Sequence, residues 1–95
     1  MNKYEAMFIL SPSLNEEELT KLKSSLSHEI QQNQAKVEGT QDLGKKRLAF
    51  VIKKQKDGFY HVINFEANPS SIKTLKDSYR LNEAILRVLI LRRKN

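Results

Sequence analysis

The chain has 95 residues, carries a formal net charge of +6 and contains no cysteine, which excludes disulfides, thiolate metal sites and a thiol nucleophile. Its length suits one small domain, and its longest apolar runs of five residues are far shorter than the roughly 18 residues of a membrane-spanning helix. Residues 1–43 sum to a charge of −3 and residues 44–95 to +9, so we expect one part of a soluble, intracellular protein to face a polyanion.

The first third of the chain predicts a strand followed by a helix. Residues 4–10 place alternate apolar side chains on two distinct faces, as in a strand, and a Ser-Pro-Ser segment then ends the strand. Asn15 and Glu18 have the spacing of a capping box. Leucine and isoleucine recur at helical spacing over residues 19–30, so we predict a helix that ends near Asn33.

The middle of the chain predicts two long strands. The first runs from about residue 36 to residue 54, with Gly39 and Gly44 as the places for a bend. Alternation places Leu48, Phe50 and Ile52 on its inner face and Arg47, Ala49 and Val51 on its outer face. Residues 56–58 read Lys-Asp-Gly, which is typical of a hairpin turn, and we predict the next strand at residues 59–67.

The last third predicts a helix that starts at Asn68-Pro69-Ser70 and a final strand over residues 85–92. The complete order is strand, helix, strand, strand, helix, strand. Two split crossover units of this kind predict an α+β, ferredoxin-like sandwich. We therefore expect one domain over residues 1–95, with a four-stranded antiparallel sheet in the order 4-1-3-2 and both helices on one face.

Two histidines and a run of glutamates are the residues that a catalytic or metal site would use. His28 and His61 have no carboxylate or hydroxyl partner at a recognisable spacing, and we interpret His61 as a residue at the edge of the core. Glu16–Glu18 are contiguous, so their side chains fan around the helix and suit its dipole better than a metal. Acylphosphatases share the predicted topology, but their anion loop needs glycine and arginine, which Ser11–Leu14 lacks. We therefore predict no enzyme, no cofactor and no metal.

Basic residues cluster in two parts of the sequence. Residues 44–56 contain six of them and no acid, and no acid follows Glu83. The lysines at positions 53, 54 and 56 suit either phosphate contacts or the protection of a sheet edge from aggregation. Arginine is the better indicator, because its guanidinium forms bidentate contacts with phosphate. These clusters therefore favour binding to a nucleic-acid backbone.

The face of the sheet that the helices leave open is predicted to be largely apolar. A patch of that size on a monomer normally marks a partner site. The third strand matches the RNA-stacking motif of the RRM only in part, because Tyr60 and His61 occupy the positions of the small residue and the second aromatic. We therefore expect RNA to be held at the edges of the sheet and not by base stacking on it.

Several separated segments resemble the small-subunit ribosomal protein six family of bacteria and organelles. Residues 44–53 are similar to its signature of a glycine, a basic pair, Leu-Ala-Tyr and Ile-Lys, with Phe50 in place of the usual tyrosine. Residues 3–5, 57–60 and 85–89 are similar to its opening, its hairpin and its last strand. The resemblance covers essentially the whole chain and implies the fold predicted above.

The resemblance implies a non-catalytic component of the small ribosomal subunit, located in the cytoplasm or in an organelle. Members of that family pair with small-subunit ribosomal protein eighteen and bind the central domain of small-subunit ribosomal RNA together with it. We predict RNA contacts by Lys3, Lys45, Lys46, Arg47, Arg87, Arg92, Arg93 and Lys94. We predict protein-partner contacts by Met7, Ala49, Val51, Tyr60, Val62 and Leu89.

One alternative from another functional class stays open. A small-molecule-sensing module of the same fold would dimerise through its open sheet face, and its lysines would only keep it soluble. Such a module has no need for an acid-free basic segment like residues 44–56. The segment therefore favours the RNA-binding interpretation.

Overall fold

The structure is a computed structural model that describes residues 1–93. In chain order the elements are β1 (Asn2–Leu10), α1 (Glu16–Gln32), β2 (Lys36–Ile52), β3 (Gln55–Ala67), α2 (Pro69–Arg80) and β4 (Ile85–Arg92). Their types and order are those predicted from the sequence. Neither helix within residues 1–93 is long and apolar enough to cross a membrane.

The four strands form one sheet in the order β2-β3-β1-β4. All three neighbouring pairs are antiparallel, and β1 and β3 occupy the centre. The predicted strand order is therefore confirmed. Both helices pack on the same face of the sheet, which completes the ferredoxin-like fold.

The main core lies between this face and the two helices. Phe8 and Ile63 from the central strands and Leu75 from α2 have no exposed surface. Tyr79 of α2 packs edge-on against the Phe8 ring, with centroids 4.9 Å apart, and its hydroxyl donates to the Leu26 carbonyl of α1 at 2.7 Å. Burial raises the pKa of the Tyr79 phenol well above its usual value. One aromatic side chain thus connects both helices and the sheet.

Local signals for the helices are confirmed. Asn15 caps α1, since its side chain accepts from the Glu18 amide at 2.8 Å and its own amide donates to the Glu18 carboxylate at 3.0 Å. This pair satisfies two backbone donors that a helix start otherwise leaves unpaired. Pro69 is the first residue of α2, where its missing N–H costs nothing.

The bends predicted in β2 are also present. Its register against β3 shifts between Val37 and Gly39 and again between Asp42 and Gly44. Gly44 has a φ of 79°, a backbone conformation that glycine adopts without a Cβ clash. The two shifts let the 17-residue strand follow the twist of the sheet.

The predicted position of the hairpin turn was wrong. The two strands turn at Lys53-Lys54, whose φ values of 48° and 67° are typical of a two-residue hairpin turn. Gly58 lies inside β3, where an added Cβ would stand 2.5 Å from Cγ2 of Ile9. Position 58 therefore has no room for a side chain, because Ile9 packs across it.

The predicted faces at the end of β2 were also wrong. The ladder shifts between Arg47 and Ile52, so four residues of β2 bulge past one residue of β3. A bulge breaks the alternation on which the prediction rested. Leu48 is buried against Ile9 on the face opposite the helices, and Phe50 is 66% exposed.

Candidate nucleic-acid and partner interface

The face of the sheet without helices, here called the open face, has an apolar centre. Met7 of β1 lies between Val62 of β3 and Leu89 of β4. Two residues further along the same pair of strands, Leu91 of β4 lies beside Glu5 of β1. Leu89 is 45% exposed and Leu91 53% exposed, whereas Val62 is only 5% exposed. The accessible apolar surface of this face therefore belongs mainly to β4.

A second, smaller core covers the other end of the open face. Ile9, Leu48 and Leu86 are buried there, and Ile52 and Tyr60 pack against them. The bulge in β2 makes this possible, because it brings the end of the hairpin over the sheet. This group is called the hairpin cluster below.

The hairpin cluster separates the predicted partner residues into two groups. Met7, Val62 and Leu89 lie side by side at the centre of the open face. Ala49 and Val51 lie in the bulged part of the hairpin and are exposed, and Tyr60 packs at the edge of the hairpin cluster. A single flat contact surface made of all six residues is therefore not what the structure shows.

Two predicted RNA contacts lie on either side of the row that contains Tyr60. Lys46 holds its ammonium group 5.9 Å from the centre of the Tyr60 ring, within the range of a cation–π contact. Tyr60 is opposite Ile9, which is opposite Arg87 on the far strand. Lys46 and Arg87 thus flank the hairpin cluster from the two edges of the sheet.

Most of the predicted RNA contacts are free to bind an anion. Lys45, Lys46, Arg47, Arg87 and Arg92 are all exposed. None of these five side chains forms an ion pair with a carboxylate of residues 1–93. Their charges are therefore not neutralised within the described part of the chain, although Arg92 donates a long hydrogen bond to Asn2 at 3.4 Å.

Lys3 and Arg93 differ, because both are paired with Glu38. The Lys3 ammonium lies 3.5 Å from one carboxylate oxygen of Glu38, and the Arg93 guanidinium contacts the other oxygen. The Arg93 amide also donates to the Lys3 carbonyl at 2.8 Å. An RNA phosphate would have to compete with Glu38 for these two cations. Lys94 lies outside the described residues.

The helix side of the sheet carries a polar cluster that sequence reasoning missed. Asp42 accepts from Lys23 of α1 at 2.5 Å and lies 3.4 Å from Nδ1 of His61. The hydrogen bond from Lys23 holds the pKa of Asp42 below its usual value, with a smaller contribution from His61. His61 is 5% exposed, and burial lowers its pKa despite the opposing effect of Asp42.

This cluster confirms His61 as a residue at the edge of the core and adds a carboxylate partner that lies at no recognisable sequence spacing. Asp42 and His61 are 19 positions apart in the sequence with no local signal that links them, and only the pairing of β2 with β3 brings the two together. Among residues 1–93 no three histidine, cysteine or carboxylate side chains are grouped as metal ligands. The cluster ties α1 to the edge of the sheet.

Comparison with known proteins gives one consistent family. The family model of ribosomal protein S6 matches residues 3–92. The small ribosomal subunit protein bS6 of Helicobacter pylori is 41% identical over 97% of this chain. The protein of the same name from Caldanaerobacter subterraneus is 36% identical, over 97% of both chains.

Solved structures agree with the sequence comparison. The 30S ribosomal protein S6 of Thermotoga maritima superposes with a TM-score of 0.92 at 31% identity, covering 97% of this chain and 87% of that one. The C-terminal domain of the MgtC protein from Mycobacterium tuberculosis superposes with a TM-score of 0.65 at 10% identity, which reflects the shared fold alone.

The lengths of the relatives differ. The chain spans about 65% of the length of the Helicobacter pylori relative, whereas it spans 97% of the Caldanaerobacter relative. The family model spans residues 3–92 and so overlaps every strand and helix described above. On the family match and on the identity with these relatives, the chain belongs to the ribosomal protein S6 family.

Proposed function

We propose that this protein is a structural component of the small ribosomal subunit that binds the central domain of small-subunit ribosomal RNA together with small-subunit ribosomal protein eighteen. It acts as one ferredoxin-like domain, in the ribosomes of the cytoplasm, without a catalytic role. The observation that carries the proposal is a pair of cations, Lys46 and Arg87, which form no ion pair within residues 1–93 and lie on either side of the open face of an S6-family chain.

The RNA part of the proposal is supported by the exposed cations of β2 and β4. Phosphate contacts position a protein on RNA and supply affinity without reading sequence. Lys45, Arg47 and Arg92 extend the positive charge along both outer strands. Lys3 and Arg93 contribute less in the free protein, because Glu38 already neutralises part of their charge.

The protein part of the proposal is supported by the apolar half of the open face. Leu89 and Leu91 expose about half of their surface beside Met7, and no helix of residues 1–93 covers them. An apolar centre with a charged margin is the usual composition of a protein–protein contact. Because the hairpin cluster occupies the other half, ribosomal protein eighteen docks on the β4 half.

The same apolar half would also serve a homodimer, which is the alternative function. A small-molecule-sensing module that pairs through Leu89 and Leu91 would use this surface for a second copy of the chain. It would leave the cations of the hairpin and of β4 without a ligand. The two proposals therefore differ in whether RNA is bound.

A filter-binding titration against a fragment of the central domain tests the proposal. RNA affinity should rise when ribosomal protein eighteen is added, and log K should fall linearly with log salt, by roughly one unit for each phosphate neutralised. Binding that ignores both salt and the partner would contradict the proposal. A stable homodimer in sedimentation that does not bind RNA would support the sensing module instead.

A further inference from the structure

A surface cleft of about 440 Å³ is lined by three cationic residues from three parts of the fold. Lys53 comes from the turn after β2, Arg80 is the last residue of α2, and Arg87 lies in β4. The rest of the lining comes from four apolar residues of β4: Ile85, Leu86, Val88 and Leu89. Of the three cations, only Arg87 is among the predicted RNA contacts; for Lys53 the sequence left a phosphate contact and the protection of a sheet edge both open.

We propose that this cleft, here called the three-cation cleft, is a binding site for a phosphate group. The phosphate comes either from the backbone of an RNA or from a free phosphate anion. The chemistry of the cleft is the same for both sources. Only the assignment to an RNA phosphate rests on the proposed function.

The three-cation cleft contains no ion pair within residues 1–93. No acidic residue lines it, and Lys53, Arg80 and Arg87 form no ion pair with a carboxylate of the described residues. Asp77, on the same helix as Arg80, is paired with Lys73 at 2.7 Å, and it is close enough to Arg80 for that cation to add to the lowering of its pKa by Lys73. Three like charges held around one concavity favour a doubly charged or diester anion between them.

The position of Lys53 is fixed by a tertiary contact. Its ammonium group donates to the Ile85 carbonyl of β4 at 3.2 Å, which uses one of its three donors. This contact fastens the tip of the hairpin to the start of β4. The two remaining donors of Lys53 are available to a ligand in the cleft.

The turn that presents Lys53 is built at a conformational cost. Lys53 and Lys54 both adopt positive φ, where asparagine and glycine are the preferred residues. A non-glycine residue in this region is strained, and strain of this kind tends to be retained at functional sites. The lysine at position 53 is therefore better explained by its ammonium group than by the turn.

The test is an NMR titration of the full chain with inorganic phosphate, with chloride at matched ionic strength as the reference. The amide signals of residues 53, 80 and 87 should shift saturably with phosphate. Arg80→Gln and Arg87→Gln should each weaken this binding about three- to fivefold, as for an exposed charged contact. Lys76→Gln, which removes the same charge from α2 outside the cleft, should leave it unchanged.

Lys53→Asn distinguishes the role of the Lys53 ammonium group in phosphate binding from the role of residue 53 in the turn. Asparagine tolerates positive φ, so the turn and the pairing of β2 with β3, measured by cross-strand NOEs, should be kept while phosphate binding weakens. If phosphate produces the same small shifts as chloride in the wild-type chain, the inference is wrong. It is also wrong if Lys76→Gln weakens binding as much as Arg80→Gln does.

RNA binding then distinguishes the two sources of phosphate. If Arg80→Gln weakens binding to the central-domain RNA fragment as well as to phosphate, the cleft holds an RNA phosphate. If it weakens only phosphate binding, the cleft is a free-anion site and the proposed function stands unchanged. If the wild-type chain binds phosphate in the cleft but no RNA, the proposed function fails while the cleft remains.

Discussion

The two faces of the sheet use the same four strands for different purposes. On the helix side, side chains such as Phe8, Ile63 and Leu75 are fully buried in one continuous core. On the open face, the buried side chains are mainly those of the hairpin cluster and Val62, and beside them Leu89 and Leu91 stay about half exposed. The helix side thus provides most of the stability, which leaves the open face available for binding.

Strand alternation is the physical cause of this division. Neighbouring residues of one strand point to opposite faces, so Phe8 is fully buried while Met7 beside it stays partly exposed. A substitution in a strand therefore affects stability when its side chain points to the helices, and binding when its side chain points to the open face. The following predictions test that separation, from the largest expected effect to the smallest.

Truncation of a leucine should mainly reduce stability on the helix side and mainly reduce partner binding on the open face. Leu75→Ala removes a side chain with no exposed surface and should lower the free energy of unfolding by about 3–5 kcal/mol. Leu89→Ala, on the exposed half of the open face, should lower it by less than about 0.5 kcal/mol but weaken association with the protein partner. Urea unfolding measures the first effect, and equal losses from both variants would contradict the division.

A methyl group added at Gly58 should show how much the hairpin cluster contributes to the free energy of unfolding. The new Cβ would meet Cγ2 of Ile9 at 2.5 Å and the Leu10 carbonyl at 3.3 Å, so Gly58→Ala should cost about 1–3 kcal/mol. Gly39→Ala is the matched control, since no atom lies within 4 Å of a Cβ there. If urea unfolding gives the same value for both, Ile9 does not pack tightly across Gly58.

Charge reversal at Arg87 should weaken RNA binding and spare the fold. Arg87 is exposed and has no carboxylate partner in the described part of the chain, so Arg87→Glu should reduce RNA affinity roughly tenfold and lower the salt slope by about one unit. Its Tm should stay within a degree or two of the wild type. Lys76→Glu makes the same charge change on α2 and should alter neither the RNA affinity nor the salt slope. A large fall in Tm for Arg87→Glu would instead assign Arg87 a structural role.

The pH dependence of stability should contain a small contribution from His61. Burial lowers its pKa below the ordinary 6.5, so near that pH the unfolded chain binds a proton that the folded chain does not. The free energy of unfolding should therefore decrease as the pH falls below about 6.5 and level off once His61 protonates in the folded protein.

Variants at the two histidines isolate this contribution. His61→Gln should flatten the decrease between pH 7 and pH 5 in urea unfolding. His28→Gln is the control, because His28 is exposed. A curve for His61→Gln that follows the wild type would show that burial of His61 does not affect stability.

Most of the fold was predictable because its signals are local. The capping box of Asn15 and Glu18, the period of 3.6 in the helices and the period of two in the strands each lie within a few residues. They fix the element order, and handedness then fixes the strand order. No long-range information was needed for that part.

The errors arose where a tertiary contact overrides a local signal. The Asp57-Gly58 pair is a strong turn signal, yet Gly58 serves the packing of Ile9 and the chain turns at Lys53-Lys54. The bulge before Ile52 cannot be read from alternation, because an odd number of extra residues exchanges the two faces. Both errors fall within the hairpin.

The site was predictable only as a list of charges. Sequence showed that the cations of residues 44–56 and of the C-terminal strand are concentrated, but not which are already neutralised, as Lys3 is by Glu38. It also could not place Lys53, Arg80 and Arg87 around one cleft, because they come from three elements that meet only after folding.

The most direct test of the central claim is whether the open face attaches the protein to small ribosomal subunits. Purified small subunits stripped of their own S6 should be incubated with the wild-type chain, with Lys46→Glu/Arg87→Glu, and with Lys21→Glu/Lys76→Glu, whose changes lie on the helices. After gradient sedimentation, the wild type and the helix variant should travel with the subunits in equal amounts, and the open-face variant should be depleted. Equal incorporation of all three, or absence of the wild type from the subunit fractions, would contradict the account.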